Sequence, residues 1–318
     1  MIDRYIKYLQ GIRRYSARTC EIYREILDSF LSFTSGQESL SDKDTASVCT
    51  GNAIRNYEVH LLDDRKESAR TVNLHMSVIS GFCRFLMKEG LLESNPVRLL
   101  SRPKTEKWLP VFYREESMRE YFDSTEYIVS EENLQIIPYR KRLNRLIISI
   151  LYNTGIRRSE LISLKLGNVD FQRHVMRVTG KGDKMREIPL IEGLCKEISL
   201  YLQTVDSMAG CQRPASGPLL VTEKGASLYP VYVDRTVKSE LGAIGSITGR
   251  KSPHVLRHTI ATELLNDGTD LNSIKELLGH SSLAATQVYT HNSVEKLKTI
   301  YNNAHPRAKS GGNYGDKD

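Results

Sequence analysis

A mainly α-helical chain of two domains, the second carrying one small antiparallel β-sheet, is the fold class this sequence predicts. Three observations lead there. Apolar residues recur at three and four spacing through most of the chain, the period of a helix with one buried face. One segment, HVMRVTGKGDKMREIPL, changes to a period of two, and Pro96, Pro103 and Pro110 crowd one stretch between the halves. With 318 residues the chain also exceeds the roughly 150 residues typical of one domain.

Residues 1–93 read as a small helical bundle. Ile22, Ile26 and Phe30 lie on one helical face, as do Val72, Met76, Ile79, Phe82 and Phe85. The second of these helices follows Ser68 as its cap and stops at Gly90. The proline-rich stretch 94–111 is expected to be the interdomain linker, because neither a helix nor a central strand continues through such a sequence. A second domain then spans 112–307, followed by a tail, 308–318, expected to be disordered. Within that domain Val175 and Val178 form one arm of a hairpin and Ile188 and Leu190 the other. Gly180 and Gly182 supply positive φ at the connection, which places Lys181 at the tip. Helices resume at Ser252-Pro253, with Ser as cap and Pro at the first helical position, and that helix should end near Gly268. Another runs from Leu271 to Leu278 and stops at Gly279; a third starts at Ser282 and carries Tyr289.

The net charge of +7 favours a polyanionic partner such as nucleic acid, although many basic proteins bind none. Five widely spaced cysteines, at 20, 49, 83, 195 and 211, make neither a paired disulfide framework nor a zinc pattern and suit a reducing cytoplasm. The longest apolar run, near Leu146-Ile147-Ile148, is far shorter than a membrane span, so no membrane partner is expected.

Several short motifs carry chemistry. In SPHVLRHT, His254 and Arg257 are three apart on a helix and share a face, which puts an acid-base group beside a phosphate clamp. His258 and His254 form an H-x-x-x-H pair, but no Glu or third ligand accompanies them as a metal site requires. In NTGIRRSELISL the chain breaks at Gly155, and Arg157 and Arg158 stand at the start of a new helix that Ser159 and Glu160 suit. His280 follows the helix-ending Gly279, and Tyr289 lies further on in TQVYTH. Each motif alone has an ordinary structural reading as a surface charge, a cap or a packed side chain. Together, two Arg, one Lys, two His and a Tyr in one basic domain supply what phosphoryl transfer without a metal needs. The charge that grows on the nonbridging oxygens must then be met by Arg donors.

On TGIRRSEL, GKGDK, SPHVLRHTIATELL, LLGHSS and TQVYTH the chain resembles the tyrosine recombinase (phage integrase) family, and within it the Xer-like site-specific recombinases. HPRA at 305–308 is similar to the end of Xer-type chains, and residues 1–93 resemble the family's core-binding domain. The resemblance implies an N-terminal SAM-like core-binding domain and a catalytic domain of the DNA breaking-rejoining fold, closing as a clamp on double-stranded DNA. It implies Tyr289 as the nucleophile that forms a 3′-phosphotyrosine, and Arg157 and Arg257 as phosphate ligands. Lys181 would be the acid for the departing 5′ oxygen, His254 the base, and His280 a supporting donor. No metal or nucleotide cofactor is expected, because the bond energy stays in the covalent intermediate. The implied partner is a recombination site on DNA held by a homotetramer, or by a heterotetramer with a second recombinase, that resolves chromosome or plasmid dimers. The same chemistry serves an integrase or DNA invertase of a mobile element; a type IB topoisomerase and a non-catalytic DNA-binding regulator are further alternatives. The helix in SVEKLKTIYNNA, with Val294, Leu297, Ile300 and Tyr301 on one face, packs on its own domain or docks on a neighbouring protomer. The stretch between Phe112 and Ile147 is longer than in the simplest relatives and is expected to lengthen a loop.

Overall fold

The computed structural model describes residues 1–36, 42–105, 111–133, 136–180, 183–209 and 213–279. The chain divides into two compact units, one up to Trp108 and one from Leu109 onward. Among the described residues no helix is long and apolar enough to cross a membrane.

The first unit contains α1 (Ile2–Gly11), α2 (Ala17–Ser35), α3 (Asp42–Ser47), α4 (Gly51–Val59) and α5 (Ala69–Lys88). The caps are those that short polar side chains make: Ser16, Thr50 and Ser68 each accept the backbone N–H three residues on. Gly36 and Gly90 follow α2 and α5 with positive φ. The predicted faces are the buried ones, since Ile26, Phe30, Val72, Met76, Ile79, Phe82 and Phe85 lie in one core and Ile22 packs against it. Cys20, Cys49 and Cys83 are buried free thiols here, as is Cys195 in the second unit. The proline-rich stretch does not leave this unit at residue 94. Asn95 caps a single turn at Pro96–Leu99 and donates to the Ser80 carbonyl, and Val97 is buried with the α5 side chains. Proline suits the first position of such a turn, where its missing N–H needs no partner, and the Asn95 cap and the burial of Val97 hold the turn on this unit.

The second unit is built on α7 (Tyr139–Thr154), which is buried from Arg145 to its end and so touches neighbours on every side. Around it lie α6 (Glu115–Ser124), α8 (Arg158–Ser163), α9 (Glu192–Ala209), α10 (Pro230–Glu240), α11 (Pro253–Asn266) and α12 (Leu271–Leu278). A three-stranded antiparallel sheet, β1 (Val169–Asp170), β2 (Val175–Thr179) and β3 (Met185–Pro189), pairs in chain order. The hairpin β2–β3 is the one expected from the change of period; the two-residue β1 is too short to announce itself in sequence.

Three local expectations need correction. Among the described residues of the hairpin connection, Asp183 takes positive φ and Gly180 does not, while Gly182 lies outside the described residues. Gly180 instead lies against the charged cluster: a Cβ there would make ordinary contacts of 3.4 Å with both the Arg186 guanidinium and the Glu160 carboxylate. Ser252 occupies the cap position of α11, but its side chain makes no cap bond, and its N–H donates to the Tyr113 hydroxyl. The long segment before Ile147 is less a loop than a packed edge. It forms two single turns, Glu126–Val129 and Glu131–Asn133, before α7 begins. Two buried α7 arginines fasten it: Arg142 donates to the Ile128 and Asn133 carbonyls, and Arg145 pairs with Glu126 and Glu197.

Gly155 ends α7 with φ +60, and a Cβ there would lie 2.5 Å from Leu278 Cδ2 and 3.1 Å from Ile260 Cγ2. Gly155→Ala therefore combines left-handed strain with a clash between two helices. Thermal or denaturant unfolding is expected to show a loss of about 3 kcal/mol, and a loss below about 1 kcal/mol would contradict this packing.

Candidate active site

The C-terminal end of α12 is where the second unit collects its charge. α12 is capped at its start by Asp270, which accepts from the Asn272 and Ser273 N–H groups, and ends at Gly279 with φ +67, as its sequence predicted. A helix end leaves unpaired carbonyls at the negative end of the dipole. Three arginines from three different elements take three successive ones. Arg186 Nε donates to the Leu277 carbonyl at 2.9 Å, Arg257 Nη2 to Leu278 at 2.6 Å, and Arg157 Nη2 to Gly279 at 2.8 Å.

Arg157 stands at the cap position of α8, directly after the α7 stop at Gly155 and the buried Ile156. Its own N–H and its Nη1 both donate to Glu160, at 2.9 and 2.7 Å, so the first turn of the helix orients the guanidinium. Arg257 belongs to the buried face of α11 beside Leu256 and Ile260, and its Nη1 donates to the Gly155 carbonyl at 2.5 Å. A solvated surface charge is thus excluded for Arg257. Burial, then the nearby Arg157, lowers its pKa to about 10, which still leaves it charged at neutral pH.

Glu160 is buried among these cations. Burial by itself would raise its carboxyl, but hydrogen bonds from Arg186 and Arg157 outweigh that and hold it below the ordinary glutamate value. Arg186 closes on it with both terminal nitrogens, at 3.1 and 2.8 Å. Three guanidiniums against one carboxylate leave a net +2 at the end of α12 (3 − 1). This surplus suits an anion.

His254 lies in the first turn of α11, three residues before Arg257, but it is exposed where Arg257 is buried. Partial burial, then Arg158 and Arg257, lower its pKa below the ordinary histidine value, so the neutral ring predominates at neutral pH. Arg158 is itself held by an ion pair with Asp234 of α10. The structure therefore brings Arg157 and Arg257 to one helix end, with His254 on the same helix as Arg257. Lys181, His280 and Tyr289 lie outside the described residues, as do the helix expected from Ser282, the SVEKLKTIYNNA helix and the tail. Among the described residues no group of three or more His, Cys, Asp or Glu could hold a metal ion.

Sequence reasoning missed Arg186 and gave Glu160 only the part of a helix-start residue. A signal existed for Arg186: it is two residues from Ile188 in a strand, so it shares that residue's inward face, and it pairs with the buried Val178.

The second unit is thus a mainly helical domain with a short sheet that holds an arginine cluster at the end of α12. Residues 126–296 match the phage integrase family and residues 2–90 its N-terminal SAM-like domain, and the chain belongs to that family, the tyrosine recombinases. It is 36% identical to the tyrosine recombinase XerC of Bacillus pumilus, over 97% of each chain. It is 33% identical to the tyrosine recombinase XerC of Chlorobaculum parvum, over 96% of this chain and 94% of the other. Among solved structures the fold is similar to the XerH site-specific recombinase bound to difH substrate in a pre-cleavage complex. That match has a TM-score of 0.64 and 20% identity, over 94% of this chain and 83% of the other.

Proposed function

We propose that this chain is an Xer-like site-specific recombinase that cuts and rejoins double-stranded DNA through Tyr289. The observation that carries the reading is the arginine cluster, in which Arg157 and Arg257 are fixed side by side on the last carbonyls of α12 with net positive charge. The bonds to these carbonyls do not exhaust the donors of either guanidinium, which leaves both able to grip a phosphate. The Tyr289 oxygen attacks phosphorus, the 5′ oxygen departs, and the 3′ phosphate remains on the tyrosine. His254 takes the tyrosine proton and Lys181 protonates the leaving oxygen, while His280 donates a hydrogen bond to the phosphate. Rejoining reverses these steps without an external energy source.

The XerC relatives match over nearly their whole length and favour a recombinase of chromosome or plasmid dimers over a mobile-element integrase or invertase. On its site the chain assembles as a homotetramer or with a second recombinase, in the cytoplasm, where its buried thiols stay reduced. The test is to incubate the protein with fragmented DNA of its host in EDTA, trap with denaturant, and sequence the DNA left attached to protein. Adducts at one recurring sequence are expected. A protein that binds this DNA yet attaches to none of it would overturn the proposal.

The electrostatics around His254 add a pH prediction. A protonated ring cannot accept the tyrosine proton, so cleavage should rise with pH through the His254 pKa, at a midpoint below the ordinary value of about 6.5. Arg158→Gln removes the largest charge acting on that ring and should move the midpoint upward. A pH–rate profile unchanged by this substitution would remove His254 from the role of base.

A further inference from the structure

Arg186 is a buried charge that the mechanism above does not use, and a buried charge persists only where its partners repay the loss of water. We propose that Arg186 is a positioning residue for strand cleavage, which locks the Lys181 hairpin, Arg157 and the end of α12 into one unit. The inference rests on the roles proposed above for Arg157 and Tyr289.

The geometry runs in three directions from one guanidinium. Towards α8, Nη1 and Nη2 grip both oxygens of Glu160, whose same two oxygens receive Arg157 Nη1 and the Arg157 N–H. The direction of Arg157 is thus set by Glu160, and that of Glu160 by Arg186. Towards α12, Nε holds the Leu277 carbonyl, one residue before the carbonyls that Arg257 and Arg157 hold. The segment that carries Tyr289 begins immediately after this helix end. Along its own strand, Arg186 pairs with Val178, and the loop of the hairpin is closed just beyond by Gly180 N–H donating to the Lys184 carbonyl at 2.8 Å. Lys181 lies within that loop in sequence.

The space is shaped to this side chain. A Cβ at Gly279 would come within 3.0 Å of Arg186 Nη1 and 3.1 Å of its Cζ, and one at Gly180 within 3.4 Å of the same nitrogen. Two glycines from two elements thus flank the guanidinium. Burial alone would favour an apolar side chain of equal size, which is often as stabilising as a buried ion pair. A planar fork with bonds in fixed directions serves orientation, and lysine cannot reproduce it.

The experiment uses the full chain and the DNA fragment recovered from the Tyr289-dependent adducts. Single-turnover cleavage, DNA affinity and melting temperature are measured for Arg186→Lys, Arg186→Met, Arg157→Lys and the double variant Arg157→Lys with Arg186→Met. Both Arg186 variants should cleave about 10²-fold more slowly, because small misplacements of reacting groups cost that much, while DNA affinity stays within about threefold. Arg186→Lys should not rescue the rate although it keeps the charge. The double variant should be slower than Arg157→Lys by clearly less than the full factor that Arg186→Met costs alone, since the part of that loss that acts through Arg157 is already gone. Undiminished cleavage in folded Arg186 variants, or losses that multiply in the double variant, would overturn the inference. Failure of both Arg186 variants to fold would also do so, leaving Arg186 a residue of stability alone. Absence of Tyr289-dependent adducts from the wild type would instead overturn the underlying reading.

Discussion

Tyr289→Phe is expected to abolish covalent attachment to DNA while leaving DNA affinity within about twofold, the largest effect any single substitution should have. In the proposed mechanism the phenol oxygen forms the new bond to phosphorus, and phenylalanine keeps the ring but removes that atom. Removing a nucleophile typically costs at least about 10⁴-fold, because what survives comes only from binding and charge stabilisation. Affinity should survive because most of it comes from phosphate contacts spread over the duplex, not from one hydroxyl. The measurement is denaturing electrophoresis of trapped adducts beside a native gel shift on the same DNA. Adducts of undiminished yield in Tyr289→Phe would transfer the nucleophile to another residue.

Arg257→Ala should give the next largest loss, and of two kinds at once. As a phosphate donor its removal should slow single-turnover cleavage by roughly 10²–10³-fold. As a structural bridge it leaves the Gly155 and Leu278 carbonyls without their guanidinium donor, at about 1–3 kcal/mol for each that stays buried and unpaired. Arg257→Lys separates the two, because an ammonium keeps the charge but cannot span carbonyls on two elements in fixed directions. It should recover part of the stability and little of the rate. Cleavage within about threefold of wild type in a folded Arg257→Ala protein would show that the phosphate is held elsewhere.

Much of this fold is legible in the amino-acid sequence. The helical faces of α2 and α5, the Ser68 cap, the limits of α12 and the β2–β3 hairpin each rest on interactions within a few residues, and local patterns report such interactions directly. Arg157 and Arg257 are singled out by residue type and motif order, and the structure brings both to the end of α12. The features that local patterns do not reveal depend on contacts distant in sequence. The turn at Pro96–Leu99 belongs to the first unit because Asn95 finds Ser80, and the segment from Glu126 to Asn133 is packed because Arg142 and Arg145 reach it from α7.

The sequence by itself determined the family and the two-domain helical plan, since both are written in local period, turn chemistry and motif order. Only the tertiary structure decided that Arg257 is buried, that His254 is not, and that Arg186 and Glu160 belong with Arg157. The reason is physical. Apart from the Arg157–Glu160 contact, three residues apart, the guanidiniums' partners here are carbonyls and a carboxylate between 21 and 122 residues away, and no local pattern specifies which helix end will present its unpaired oxygens to which strand.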